Sequence, residues 1–167
     1  HEAIQAGDEE VVQMILCRIE FEATDVINTP NSLGNTPLHE AVIVENLKLT
    51  DLLLTHGAQL TQTNHLGHTP LQNVAGGGNT KLAALLLKWG ASVDEVGDCG
   101  KTPLEINLEN TAFPVYRMAK FLLARGATVP HRVSEAYQET SSLFGVSMYQ
   151  RSKVYELSDY KINCDKL

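Results

Sequence analysis

The chain holds six histidines and three cysteines in 167 residues. Their spacing limits the chemistry they can do. His65 and His68 form a His-x-x-His pair across Gly67. A structural zinc site takes four protein ligands, and no cysteine or carboxylate pattern nearby supplies the other two. Residues 76–81 read Gly-Gly-Gly-Asn-Thr-Lys, which invites comparison with a phosphate cradle. The order is not that of a phosphate-binding loop, and no strand precedes it. Cys99 has Lys101 as its only basic neighbour, too little to tune a thiolate nucleophile. No acid–base pair or nucleophile–base pair emerges either. The expectation is a chain without catalytic residues, without a metal and without a cofactor.

Two phrases recur along the chain and define the elements that carry these side chains. Thr-Pro-Leu stands at 36–38, 69–71 and 102–104, 33 residues apart each time, with Gly34, Gly67 and Gly100 two places ahead. Leu-Leu-x-x-Gly-Ala stands at 53–58, 86–91 and 122–127. Thr before Pro-Leu starts a helix, because its hydroxyl satisfies free backbone N–H groups and Pro suits the first helical turn. Gln72 and Glu105 complete a capping box in two of the copies, and His39 stands in the same column. Leu-Leu-x-x-Gly-Ala ends a helix, the glycine supplying a left-handed residue. About 20 residues separate the signals, room for two short helices. The turn-rich stretch between units suits a protruding finger.

This unit resembles the ankyrin repeat. The likeness rests on Gly-x-Thr-Pro-Leu-His at 34–39, its relatives at 67–72 and 100–105, and the three Leu-Leu-x-x-Gly-Ala phrases. It implies an all-α ankyrin-repeat solenoid over residues 1–129: a truncated first unit at 1–27, then units at about 28–60, 61–93 and 94–129. His1-Glu2-Ala3-Ile4 aligns with His39-Glu40-Ala41-Val42, and Gly7-Asp8 with Glu45-Asn46. The first unit therefore begins inside its first helix, and the protein is expected to continue upstream.

Several places depart from the pattern. The first unit is about six residues longer through 18–24, and the last carries three extra residues near 110–112, ahead of Pro114. Residues 130–167 carry neither phrase and are expected to form a divergent cap, with a helix over 133–140, since an array must cover its last apolar face. Gly76 and Gly77 are expected to fray a helix end. Asn107 occupies a column of small or apolar residues, Ala41 and Val74, and is expected to bond locally to the turn at 109–112. His56 before Gly57 favours a helix C-terminus.

Composition bounds the function. Hydrophobic residues are 43% and charged residues 20% of the chain, ordinary for a folded domain. The net charge of −7 and the lack of a basic run exclude a nucleic-acid surface and favour a protein partner with basic groups. The longest apolar run, residues 82–87, is far short of the roughly 20 needed to span a bilayer. An odd, scattered set of cysteines points to a reducing, intracellular compartment, cytoplasmic or nuclear; an effector delivered into a host cell fits the same criterion.

The resemblance implies a protein-interaction module, an adaptor or scaffold that binds through fingertips and the open side of each first helix. By register those positions are Ser32, Leu33, Asn35, Ile43, Val44, His65, Leu66, His68, Asp98, Cys99 and Lys101. The alternative is the targeting region of a larger enzyme or secreted effector whose catalytic domain lies outside this segment.

Overall fold

A computed structural model describes residues 1–19, 26–109 and 115–129. Among these residues eight α-helices run in chain order: α1 Glu2–Gln5, α2 Glu9–Ile19, α3 Pro37–Ile43, α4 Leu47–Thr55, α5 Pro70–Gly77, α6 Thr80–Lys88, α7 Pro103–Glu109 and α8 Val115–Ala124. A 3-10 turn covers Val26–Asn28, and the described residues contain no strand. Each odd-numbered helix turns back on the next. The odd helices stack on one another as one layer and the even helices as a second.

Local chemistry sets the boundaries. Thr36 and Thr69 cap α3 and α5 through complete capping boxes. Thr102 does the same for α7: its N–H donates to Glu105 Oε2 at 2.7 Å, and its hydroxyl accepts from Glu105 N–H at 3.3 Å. The return helices start on asparagine, Asn46 for α4 and Asn79 for α6. Such caps stabilise a helix by about 1 kcal/mol each. The far ends turn on Gly57, Gly90 and Gly126, all with positive φ.

Between the layers lie leucines at repeating positions. Leu38, Leu71 and Leu104, one from each Thr-Pro-Leu, are enclosed, as are Leu53, Leu86 and Leu122 from the helix-end phrases. Burying each contributes about 1.5–3 kcal/mol. Because each helix pair packs against the neighbouring pair as well as within itself, the repeats stabilise one another. An apolar hollow of about 270 Å³ lies between Ile4, Val12, Ile27 and Leu53.

Two expectations require correction. Helix α5 does not fray at its glycines: it runs through Gly76 and Gly77 and ends on left-handed Gly78. Glycine still costs about 1 kcal/mol relative to alanine at a helix-interior position, and packing against α3 and α7 offsets that cost. Asn107 does not bond to the turn that follows it. It is 1% exposed, and its Nδ2 donates to the carbonyl of Ala75 at 2.8 Å, in the preceding repeat. That carbonyl lies in the last turn of α5, where intrahelical donors run out. Asn107 thus caps a neighbour's helix, while its Oδ1 has no partner among the described residues.

Helix α2 has 11 residues against nine in α4 and α6. The remainder of the longer first unit, the insertion near 110–112 with Pro114, and the cap over 130–167 lie outside the described residues.

Candidate functional site

Three fingers project ahead of α3, α5 and α7, and each is a narrow turn closed by backbone. Asn31 N–H donates to Asn35 O at 2.9 Å, Asn64 N–H to His68 O at 3.0 Å, and Gly97 N–H to Lys101 O at 3.3 Å. In the first two, an asparagine side chain secures the tip. Asn31 Oδ1 accepts from the N–H groups of Leu33 and Asn35, and Asn64 Oδ1 from those of Leu66 and His68. Gly97 stands in the same column of the third finger and offers no such side chain.

Adjacent fingers touch through their main chains. His65 N–H donates to Leu33 O at 3.1 Å, and Cys99 N–H to Gly67 O at 3.2 Å. This approach is possible because the residues there are glycines. A Cβ on Gly34 would stand 2.6 Å from His65 N, and one on Gly67 2.5 Å from Cys99 N. Both also hold positive φ, 75° and 74°.

Beneath the first finger lies a buried polar network. Glu40 Oε1 accepts from the amides of Asn31 (2.8 Å) and Asn35 (2.9 Å), and Oε2 from Gln5 at 3.0 Å. Asn64 Nδ2 donates to Asn35 Oδ1 at 3.0 Å, which extends the network into the next repeat. Burial pushes the Glu40 carboxyl up, but the three amide donors outweigh it and hold the carboxyl below its ordinary value. His39 is enclosed at the start of α3. Burial holds its pKa below the ordinary value, while hydrogen bonding to the His68 carbonyl pulls the other way.

The positions assigned by register divide accordingly. Ser32, Leu33, His65, Leu66 and Asp98 are exposed on the fingers, and Ile43 and Val44 are exposed at the end of α3. His68, Cys99 and Lys101 are half-buried. Lys101 Nζ lies 2.6 Å from Glu109 Oε2, a contact that raises its pKa. Asp98 accepts a hydrogen bond from Thr63 of the neighbouring finger. Asn35 is the correction. It is 6% exposed, and its amide binds Glu40 and Asn64 inside the array, so it is not on the open surface. Among the described residues, no group of three or more His, Cys, Asp or Glu could hold a metal ion. Val96, exposed on the third finger, was not singled out from the sequence, because its column otherwise holds Pro30 and Thr63.

A family model for ankyrin repeats in three copies matches residues 44–132, and a second, for ankyrin repeats in many copies, matches residues 1–54. The chain belongs to the ankyrin-repeat family. No curated protein shows significant similarity to it. Ankyrin repeats generally mediate protein–protein interaction and are typically not enzymes. Among the described residues of this ankyrin array, no helix is long and apolar enough to cross a membrane.

Proposed function

We propose that this ankyrin array is a non-catalytic adaptor that binds a protein with basic groups through its fingers and the open ends of its first helices. The observation that carries the reading is a segregation of charge and apolar exposure. From the first finger to the end of α7, outside the return helices, the chain carries buried Glu40 and, nearer the surface, Glu45, Asp94, Glu95, Asp98, Glu105 and Glu109, with Lys101 as the only Lys or Arg. The return helices α4, α6 and α8 carry Lys48, Lys81, Lys88, Arg117 and Lys120 against Asp51 alone, and Arg125 directly follows α8. On the acidic side stand Leu33 (64% exposed), Leu66 (71%), Ile43 (52%) and Val44 (37%). Aliphatic groups left in water on a negatively charged surface suit a partner that brings apolar anchors and cations together. The charge steers the encounter, and a few buried anchors supply the affinity.

Replacing Ile43 and Val44 with glutamate tests the proposal. Both side chains lie off the leucine core, so the helical spectrum is expected to stay intact. Partner capture, followed by pull-down and mass spectrometry, is expected to fall at least tenfold, about 1.4 kcal/mol. A folded double variant with undiminished capture would reject this surface as the interface.

A further inference from the structure

We infer that the end of α3 and the bare surface beside it form a docking patch for a partner segment in which a Lys or Arg adjoins an aliphatic residue. This rests on the protein-binding reading above and narrows it to one place and one chemistry.

Ile43 and Val44 form an apolar ledge in water. In the next repeat their columns hold Gly76 and Gly77. Gly77 is exposed and has an ordinary helical φ. Among the described residues outside its own helix, the nearest atom to a Cβ built there is Glu45 Oε1, at 4.0 Å. Neither the backbone nor the described packing calls for glycine at this position. The missing side chain leaves room for another chain to lie close to the helix.

Glu45 gives the patch its charge preference. It is the one non-glycine with positive φ among the described residues (56°), in a column otherwise held by Gly7 and Gly78. Its Oε2 accepts from Asn79 Nδ2 at 3.2 Å, which fixes the carboxylate over the junction between repeats. Oε1 faces the Gly77 surface, and Glu45 has no ion-pair partner among the described residues. The one Lys on this side, Lys101, is engaged by Glu109. A cation arriving at Glu45 therefore meets an unneutralised carboxylate. Its aliphatic neighbour meets Ile43 and Val44, and its backbone passes over Gly77.

The test is a randomised array of synthetic dodecapeptides, probed with the whole 167-residue chain and three variants. The wild type is expected to enrich peptides with Lys or Arg adjoining Leu, Ile or Val. Gly77→Ala is expected to raise the melting temperature and yet lower binding of those peptides about tenfold, a combination that damage to the fold cannot produce. Glu45→Gln is expected to keep the aliphatic preference and lose the cationic one. Enrichment that survives both changes but disappears in a Leu33→Glu, Leu66→Glu variant would overturn this inference and leave the finger surface as the interface. No enrichment by any of the four proteins would overturn this inference and the broader reading together.

Discussion

The Nε2 of His39 lies 3.0 Å from the backbone carbonyl of His68, joining the start of one repeat's first helix to the finger of the next. On the other side of the ring, Nδ1 lies 3.2 Å from the Thr36 amide nitrogen and 2.8 Å from its hydroxyl. A backbone N–H can only donate, so Nδ1 holds the lone pair and Nε2 the proton. The partners thus specify the neutral tautomer, and a second proton on Nδ1 would oppose the Thr36 N–H.

Acid is expected to weaken the array through this ring. With the folded pKa below the ordinary 6.5, the unfolded chain takes up a proton first as pH falls. The stability contributed by neutral His39 is therefore present above that value, and it declines below it until the lowered folded pKa is passed. In His39→Gln, an amide takes the role that Gln72 already fills one repeat on. Urea midpoints measured at pH 7.5 and 5.5 should fall for the wild type and fall less for the variant. Equal losses would place the acid sensitivity elsewhere.

Glycine-to-alanine changes should separate backbone strain from close approach. Gly57→Ala meets nothing within 4 Å, so only the left-handed backbone penalty of about 1–2 kcal/mol applies. Gly67→Ala carries the same penalty and also drives a Cβ to 2.5 Å from Cys99 N and 2.9 Å from the Asp98 carbonyl carbon. The second variant should lose measurably more stability, with faster hydrogen exchange at the Cys99 amide. Similar losses in the two would mean that the fingers separate at little cost.

Asn35→Ala is expected to destabilise by about 1–3 kcal/mol, since it deprives buried Asn64 of its acceptor and Glu40 of a donor. The same change should raise the Glu40 pKa, because burial then faces fewer opposing hydrogen bonds. A depressed carboxyl contributes stability above its unfolded value, near 4.5, that is lost as pH falls through the folded value. The variant should therefore lose less between pH 5 and 3 than the wild type. Titration of the Glu40 carboxyl by NMR checks the direction.

The helix starts and stops could be read from the sequence because each depends on a few consecutive residues. Thr36 with His39, Thr69 with Gln72 and Thr102 with Glu105 need only a spacing of three. Register puts Leu33, Leu66, Ile43 and Val44 on the open side, but that they stand exposed rather than packed on a neighbouring unit is seen only in the fold. The contacts that escaped reading join residues about 30 apart. Asn35 reads as a finger residue until Asn64 is brought beneath it, and Asn107 reads as a local cap until α5 exposes the Ala75 carbonyl. Glu45 gave one sign in advance, as the non-glycine in a column with Gly7 and Gly78.

The bonds from His65 to Leu33 and from Cys99 to Gly67 have a mechanical meaning. They join the fingers into a hem of nearly fixed length along one edge of the array. The opposite edge is held by side-chain contacts, among them Trp89 Nε1 to Asp51 Oδ1 and Lys48 to Glu9, which shift more readily than a hydrogen-bonded main chain. Bending should therefore pivot on the hem: the return helices fan apart or close while the fingertips keep their separation. A partner that grips the fingers would meet a rigid ruler, and one that presses on the return helices would feel a spring.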